Sequence, residues 1–261
     1  MKAEETIVYI TDWLKSYIEK SGTTGFVMGV SGGIDSALTS TLCAKTGYPV
    51  ICLNMPIHQI KNEYDRGNEH IQWLKQNFNN VSSEEVELTD TFESIKQALP
   101  VDTHDFLTLA NTRSRLRMTT LYAFACSKKM LVAGTGNKVE DFGIGFFTKY
   151  GDGGVDVSPI ADLMKTEVYA LAKELGIVES IQNAAPTDGL FEDGRSDEDQ
   201  IGATYPELEW AMSFTEKGDG DESNLDERKK EVLKIYRKFN SSNQHKMHPI
   251  PVCSIPDELK T

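Results

Sequence analysis

The sequence predicts a single α/β domain over residues 1–261, built on a doubly wound, mostly parallel sheet with helices on both faces. Short apolar runs alternate with stretches of helical periodicity along the first half of the chain, as strand–helix–strand units require. The 261 residues are 39% hydrophobic, which is enough apolar material for one large core. A glycine-rich segment follows the first predicted strand, at the edge where such sheets bind ligands.

The first half of the chain supplies three predicted strands and their helices. In order, the predicted elements are helix 2–20, strand 25–30, helix 36–45, strand 48–54, helix 63–78 and strand 85–88. In the first helix, Ile7, Ile10, Leu14 and Ile18 recur at the spacing of one apolar face. The first strand is a continuous apolar run, as expected of a strand that is buried on both faces.

The second half predicts fewer regular elements. These are a helix over 105–127, a fourth strand over 130–134 and a last helix over 225–239. Residues 56–66 and 184–205 are polar segments near the predicted ligand-binding edge, and each is either a lid or an ordinary surface loop. The acidic run 216–227 is interpreted as a solvated linker before the last helix.

Composition excludes several classes of protein. The net charge of −13 argues against general nucleic-acid binding, which needs Lys and Arg to neutralise phosphates. No apolar run reaches the length of a membrane span, and residues 1–20 lack the apolar core of a signal peptide. The four cysteines have no CxxC spacing, so neither a zinc site nor a disulfide framework is predicted. We therefore expect a cytoplasmic protein with no nucleic-acid or membrane partner.

The segment that joins the first strand to the next helix carries the clearest chemical signal. Its residues are Gly29, Val30, Ser31, Gly32, Gly33, Ile34, Asp35 and Ser36. Gly32 and Gly33 let the backbone approach an anion, and N–H groups at the start of the helix point toward it. The segment lacks the Lys-Ser/Thr ending of a Walker A loop, so a kinase-like grip on a γ-phosphate is not expected. The alternative is a tight strand–helix turn without a ligand.

Asp35 has no direct attraction for a phosphate, because both groups are anionic. Its presence is explained if a Mg²⁺ ion bridges its carboxylate to the phosphates. The run Ser-Gly-Gly-Ile-Asp-Ser resembles the signature of the N-type ATP pyrophosphatases. Members of that superfamily adenylate a substrate oxygen and release pyrophosphate, which implies the same reaction class here.

Further segments resemble one family of that superfamily, the NAD synthetases. They are residues 111–118, 134–140, 147–156, 162–166, 186–190 and 245–246, in the order that the family shows. The resemblance covers roughly residues 25–250 and is to the ammonia-dependent form. A fused glutaminase domain would need far more chain before residue 25 than the single predicted helix there, so no glutaminase domain is expected.

The resemblance implies a set of site residues. ATP contacts are implied at residues 29–36 and at Thr135, Lys165 and Thr187, and deamido-NAD⁺ contacts at Arg115, Lys149, Asp156, His245 and Lys246. Asp35 and Glu140 are the implied Mg²⁺ ligands, and catalytic roles are assigned to Asp35, Lys165 and Asp156. Plain alternatives exist, since Arg115 could lie on a solvated helix face, Glu140 could be a helix-terminal charge and Lys149 a surface lysine.

The implied reaction joins ammonia to deamido-NAD⁺ and yields NAD⁺, AMP and pyrophosphate through an NAD-adenylate, the last step of NAD biosynthesis. The family also implies a homodimer with deamido-NAD⁺ at the subunit interface. Two other hypotheses stay open: a different superfamily member such as a tRNA thiolase, and a nucleotide-binding regulatory module without turnover. The chain departs from the family pattern at Val139 and by one extra residue between Glu140 and Lys149.

Overall fold

A four-stranded parallel sheet forms the centre of the protein in the computed structural model, which describes residues 1–185, 197–218 and 220–260. The strands are β1 (Phe26–Gly29), β2 (Val50–Asn54), β3 (Val81–Glu85) and β4 (Leu131–Val132). Their order is β3-β2-β1-β4, and Phe26 of β1 pairs with Val50 on one side and Leu131 on the other. The carboxyl end of β1 therefore opens in the middle of one sheet edge.

Helices connect and flank the strands. They are α1 (Ala3–Ser21), α2 (Ile34–Lys45), α3 (Lys61–Asn77), α4 (Thr89–Ala98), α5 (Phe106–Lys128), α6 (Lys165–Glu174), α7 (Glu179–Gln182), α8 (Asp197–Ile201), α9 (Tyr205–Glu216) and α10 (Glu227–Met247). A π-helical turn, Val139–Ile144, follows β4. Over the described ranges, no helix has the length and apolar character needed to cross a membrane.

Both faces of the sheet are covered by helices. Phe26 and Met28 of β1 pack in one apolar cluster with residues of α1, α2 and α6. Val27, which lies between them, faces the opposite side and packs in a cluster with Met118 and Leu121 of α5. This alternation along one strand confirms the predicted doubly wound α/β fold.

A third apolar cluster lies apart from the sheet. It joins the π-helical turn to α9 and α10 through Val139, Ile144, Leu208, Val232 and Tyr236. The described part of α8 contributes to the same cluster. This cluster supports one wall of the site described below.

The predicted third strand is wrong, because β3 occupies residues 81–85 and not 85–88. β3 is an edge strand in which only Val81 is buried, so it carries no apolar run that could have been recognised. The apolar residue Leu88 instead packs with Phe92 at the start of α4, a helix that was not predicted.

Other boundaries also differ from the predictions. Helix α10 extends to Met247, beyond the predicted end at residue 239. Helix α9 was not predicted, and it begins at the last residue of the polar segment 184–205. Residues 186–196 of that segment lie outside the described residues. In the polar segment 56–66, α3 already begins at Lys61.

Candidate active site

Gly32 shapes the loop between β1 and α2. Its φ of +87° lies in the region that favours glycine, and an added Cβ would lie 2.5 Å from the carbonyl oxygen of Glu63. The same Cβ would lie 3.0 Å from the backbone nitrogen of Gly67. The loop is therefore packed directly against the backbone of α3, and only glycine fits there without a shift of the backbone.

Ser31 and Ser36 hold the loop from within. The hydroxyl of Ser36 donates to the carbonyl oxygen of Gly33 at 2.9 Å, and the backbone N–H of Gly33 donates to Ser31 Oγ at 3.3 Å. The loop is thereby fixed next to the first turn of α2, whose free N–H groups and helix dipole favour an anion. Residues 31–36 line a cavity of about 170 Å³, as expected of a phosphate-binding loop.

A buried lysine bridges the two predicted metal ligands. Nζ of Lys165 lies 2.6 Å from Oδ2 of Asp35 and 3.0 Å from Oε1 of Glu140. The Lys165 side chain is only 4% exposed. Burial alone would lower the pKa of Lys165, but Asp35 and Glu140 outweigh burial and raise that pKa above its ordinary value. Lys165 is therefore a permanent cation at this site.

Asn137 connects the two carboxylates. Its amide nitrogen donates to Asp35 Oδ1 at 3.1 Å, and its amide oxygen accepts from the backbone N–H of Glu140 at 3.1 Å. The Asn137 side chain is fully buried. Asn137 lies in the family-like segment 134–140, but no role was predicted for it. Its place three residues before Glu140, in a turn after a strand, was the signal available.

Tyr205 is a second residue that the sequence analysis missed. Its hydroxyl donates to Oε1 of Glu140 and lies 3.3 Å from Oδ2 of Asp197. The Nζ atom of Lys165 lies 4.7 Å from the centroid of the Tyr205 ring. Because Tyr205 is far from residues 29–36 and 134–140 in the chain, no local pattern indicated that it reaches the site.

The donor set at this cavity fits a magnesium ion. The carboxylates that line the cavity are Asp35, Glu63, Glu140, Asp141, Asp152 and Asp197, whereas the cations that line it are Arg66 and Lys165. Burial raises the pKa of Asp35, and the nearby negative charge of Glu140 raises it further, although Lys165 lowers it. A further cation bound beside Asp35 would therefore stabilise its ionised carboxylate. The described residues contain no ready-made cluster of three metal-ligating side chains. Phosphate oxygens and water would have to complete an octahedral shell.

A larger cavity of about 810 Å³ adjoins the first. The two cavities share Ser31, Ser36, Gln59, Thr135, Phe146 and Asp152. Predicted deamido-NAD⁺ contacts lie on its wall, namely Arg115, Lys149, His245 and Lys246. Nζ of Lys149 donates to the carbonyl oxygen of His245 at 2.5 Å. Nε of Arg115 donates to the carbonyl oxygen of Lys149 at 3.2 Å. The fold thus brings α5, the loop after the π-helical turn and the end of α10 together.

Asp156 does not line either of these two cavities. Its carboxylate accepts from the hydroxyl of Tyr122 at 3.0 Å and from the backbone N–H of Val132 at 2.8 Å. Asp152 instead lines both cavities and accepts from the hydroxyl of Ser114 at 2.7 Å. Thr187, the third predicted ATP contact outside the loop, lies outside the described residues.

The predicted metal ligand Glu140 lies in the π-helical turn Val139–Ile144. A π-helical turn holds more residues than an α-helical turn, and such turns are frequent at functional sites. Asp141 in this turn lies so close to Gly136 that a Cβ on Gly136 would be 2.0 Å from the Asp141 carboxylate. Glu140 in the same turn accepts from Nζ of Lys165 at 3.0 Å. The extra residue relative to the family pattern stays a prediction.

Parallel α/β proteins with a phosphate-binding loop at the end of a central strand are typically nucleotide-dependent enzymes, and the fold and site define this chain as one of them. The NAD synthase family model matches residues 6–250. The chain therefore belongs to the NAD synthase family.

Individual relatives agree with this assignment. The chain is 35% identical to an NH(3)-dependent NAD(+) synthetase of Syntrophomonas wolfei over the full length of both proteins. It is 41% identical to the corresponding Mycoplasma genitalium protein, over 77% of this chain and 79% of that protein.

Solved structures share the fold. The NH3-dependent NAD synthetase of Campylobacter jejuni superposes with a TM-score of 0.79 at 26% identity, covering 97% of this chain and 100% of that one. The NMN synthetase of Francisella tularensis superposes with a TM-score of 0.85 at 28% identity, covering 98% and 100%.

Proposed function

We propose that the site amidates deamido-NAD⁺ with ammonia in an ATP-dependent reaction that yields NAD⁺, AMP and pyrophosphate. The observation that carries the proposal is the direct junction of two cavities, one behind the phosphate-binding loop and one lined by Arg115, Lys149 and Lys246. The first cavity can hold the phosphates of a nucleoside triphosphate, and the adjoining cavity can hold a second, anionic substrate next to them. The names of the relatives supply the product, NAD⁺, and the nitrogen source, ammonia, and the second substrate follows as the acid that ammonia would convert to NAD⁺.

The first step is the attack of the nicotinate carboxylate on the α-phosphorus of ATP. Residues 29–36 hold the departing pyrophosphate through backbone N–H groups, and Lys165 offsets the charge that develops between the phosphates. Mg²⁺ held by Asp35 and Glu140 would neutralise phosphate charge when bound. The protein needs no covalent nucleophile, since its contribution is positioning and charge stabilisation.

The second step is the attack of ammonia on the adenylated carbonyl, which releases AMP. Ammonium must first lose a proton. Asp152 is placed to assist, because it lies where the two cavities meet and its carboxylate is oriented by Ser114 and by the backbone N–H of Thr148. The catalytic role assigned to Asp156 stays a prediction, as do the ATP contact of Thr187 and the ligand contacts of Arg115, Lys149, His245 and Lys246.

Isotope transfer tests the proposed chemistry. When the nicotinate carboxylate carries ¹⁸O, one labelled oxygen is expected in AMP. The oxygen that attacked the α-phosphorus stays on the phosphorus when ammonia displaces AMP from the carbonyl carbon. Product must form with an ammonium salt and disappear when ATP or deamido-NAD⁺ is omitted. Formation of ADP, or unlabelled AMP, would contradict an adenylate intermediate.

The variant Asp35→Asn distinguishes an enzyme from a regulatory nucleotide-binding module. In an enzyme this variant should lose turnover while retaining part of its ATP affinity. A parent protein that binds ATP but forms no NAD⁺ under any substrate combination would favour the regulatory module. The tRNA thiolase hypothesis is set aside by the family membership of the chain.

A second candidate substrate is nicotinic acid mononucleotide, whose amidation would give NMN. The observation that favours it is the TM-score of 0.85 with the Francisella tularensis NMN synthetase. Both acids present the same nicotinate carboxylate, so the same two steps apply. Comparing kcat/KM for the mononucleotide and the dinucleotide acids in the same ammonium-dependent assay decides between the two.

We also propose that the chain forms a homodimer and works in the cytoplasm. Family resemblance supports the dimer, and the exposed apolar side chains of Phe106 and Leu107 at the start of α5 are compatible with an interface. Light scattering after size-exclusion chromatography should give twice the 29.1 kDa chain mass. A monomer at micromolar concentration would contradict the proposal.

A further inference from the structure

We propose that Tyr205 is a positioning residue that orients the Glu140 carboxylate toward a divalent cation bound with ATP. This inference rests on the proposed function for the identity of the nucleotide. Tyr205 is only 3% exposed, so its hydroxyl must find its partners inside the protein. The partners are carboxylates, since the hydroxyl donates to Glu140 and lies 3.3 Å from Asp197.

The two oxygens of Glu140 are placed differently. Oε1 accepts from the Tyr205 hydroxyl and also from Nζ of Lys165 at 3.0 Å. Among the contacts of the described residues, Oε2 accepts no hydrogen bond. Two donors on one oxygen fix the rotation of the carboxylate and leave the other oxygen available to a cation. Partners of this kind set the orientation of metal ligands in proteins generally.

Tyr205 has a rigid support for this task. It begins α9, where Thr204 and Glu207 form a capping box that fixes the start of the helix. Its ring packs in the third apolar cluster and presents one face to Nζ of Lys165 at 4.7 Å. The variant Tyr205→Phe therefore removes the hydroxyl while it keeps the ring, its packing and its contact with Lys165.

The same hydroxyl could instead serve only to tie α8 to α9 through Asp197. That use is purely structural, and it predicts that Tyr205→Phe lowers the free energy of unfolding but leaves the affinity for a divalent cation unchanged. Orientation of Glu140 predicts that Tyr205→Phe lowers the affinity for a divalent cation.

The test uses Mn²⁺ as the probe, counted by electron paramagnetic resonance in the presence of α,β-methylene-ATP, which cannot be cleaved at the relevant bond. We expect Tyr205→Phe to weaken Mn²⁺ binding about 10-fold. The Mg²⁺ concentration for half-maximal NAD⁺ formation should rise by a similar factor, while KM for deamido-NAD⁺ is unchanged. Tyr236→Phe, another buried tyrosine of the third apolar cluster, is the matched control and should leave Mn²⁺ binding unchanged.

Several outcomes would overturn the inference. One is unchanged Mn²⁺ affinity in Tyr205→Phe, and another is an equal loss in Tyr236→Phe, which would indicate general packing. Absence of Mn²⁺ binding by the parent protein in the presence of the analogue would overturn it as well. Failure of the parent protein to form NAD⁺ from ammonium would instead contradict the proposed function, so the two failures are distinguishable.

Discussion

At the scale of single residues, Gly32 and Gly33 are adjacent but have different conformational demands. Gly32 has φ +87°, and its added Cβ would lie 2.5 Å from a backbone oxygen of α3. Gly33 has φ −94°, and its added Cβ would meet only Ser31 Oγ at 3.4 Å. We expect Gly32→Ala to lower the free energy of unfolding by about 2 kcal/mol or more. Gly33→Ala, the control for backbone strain, should change it by less than about 0.5 kcal/mol.

Urea denaturation of both variants measures this difference. Equal losses in the two variants would contradict a special role for the backbone conformation of Gly32. If Gly33→Ala has normal stability but a raised KM for ATP, the phosphates of ATP lie close to the Cα atom of Gly33.

Lys165 separates two largely buried carboxylates, so its removal should lower both stability and turnover. We expect Lys165→Met to lose about 3 kcal/mol of stability, because the largely buried Asp35 and Glu140 are left without their cation. NAD⁺ formation should fall by about 10²–10³-fold. Lys173→Met, at an exposed position of the same helix, is the matched control.

A double variant isolates the charge effect. Lys165→Met combined with Asp35→Asn should be more stable than Lys165→Met alone, since one of the unpaired charges is gone. Strictly additive losses in urea denaturation would show that the lysine stabilises the fold through packing and not through its charge.

Part of the site was predictable from single residues. Asp35, Glu140 and Lys165 were named from their segments, and the fold brings Lys165 within hydrogen-bonding distance of both carboxylates. Asn137 and Tyr205 were not predicted, because their importance lies in which atoms they reach after folding. A sequence does not show that the hydroxyl of Tyr205 meets Glu140, which lies 65 residues earlier.

At the scale of elements, the start of α9 depends on an ionised Glu207. Its carboxylate accepts from the backbone N–H of Thr204 at 2.8 Å and from Nε of Arg228 at 2.7 Å. The hydrogen bond from Arg228 lowers the pKa of Glu207 from 4.5 to about 2. The hydrogen bonds from Thr204 lower it as well, whereas partial burial opposes the shift. The stabilisation is therefore present above the unfolded-state pKa of 4.5 and is lost as pH falls from there toward 2.

The expected contribution is about 1 kcal/mol, because the pair is partly exposed and screened by solvent. The difference in unfolding free energy between the parent protein and Glu207→Gln should be largest near pH 7 and should shrink below pH 4. Glu174→Gln, at an exposed position of α6, is the control. A difference that does not depend on pH would contradict the electrostatic account.

The elements also show where sequence patterns become uninformative. The strands buried on both faces were placed within two residues of their ends, because continuous apolar runs define them. β3 was misplaced because an edge strand with one buried residue carries no such run. Helix α9 was missed because it begins within a polar segment, although Thr204 and Glu207 have the spacing of a capping box.

At the scale of the whole molecule, acid stability should depend on His70. This side chain is fully buried between helices, with Nε2 2.9 Å from the hydroxyl of Ser40 and its ring stacked on Trp73. Burial lowers the pKa of His70 from 6.5 to about 4. The unfolded chain therefore takes up the proton first, so stability is complete above pH 6.5 and decreases as pH falls toward 4.

The loss over that interval should be about 3 kcal/mol from this one group. We expect His70→Gln to flatten the dependence of unfolding free energy on pH between 6.5 and 4. His248→Gln, at an exposed position after α10, should leave the dependence unchanged. Parallel curves for the parent protein and His70→Gln would contradict the assignment.

The Lys165 bridge also has a consequence for the order of folding. It joins Asp35, which lies 130 residues earlier, to a carboxylate supported by a different apolar cluster. Contacts over such long separations form late, because closing a long loop costs entropy before the contact can stabilise anything. We therefore expect β1, β2 and β3, which are close in sequence, to pair before Lys165 reaches Asp35. In refolding experiments, helical circular dichroism should return earlier than the ability to bind ATP, and a chain released from the ribosome before Tyr205 should be folded in part yet inactive.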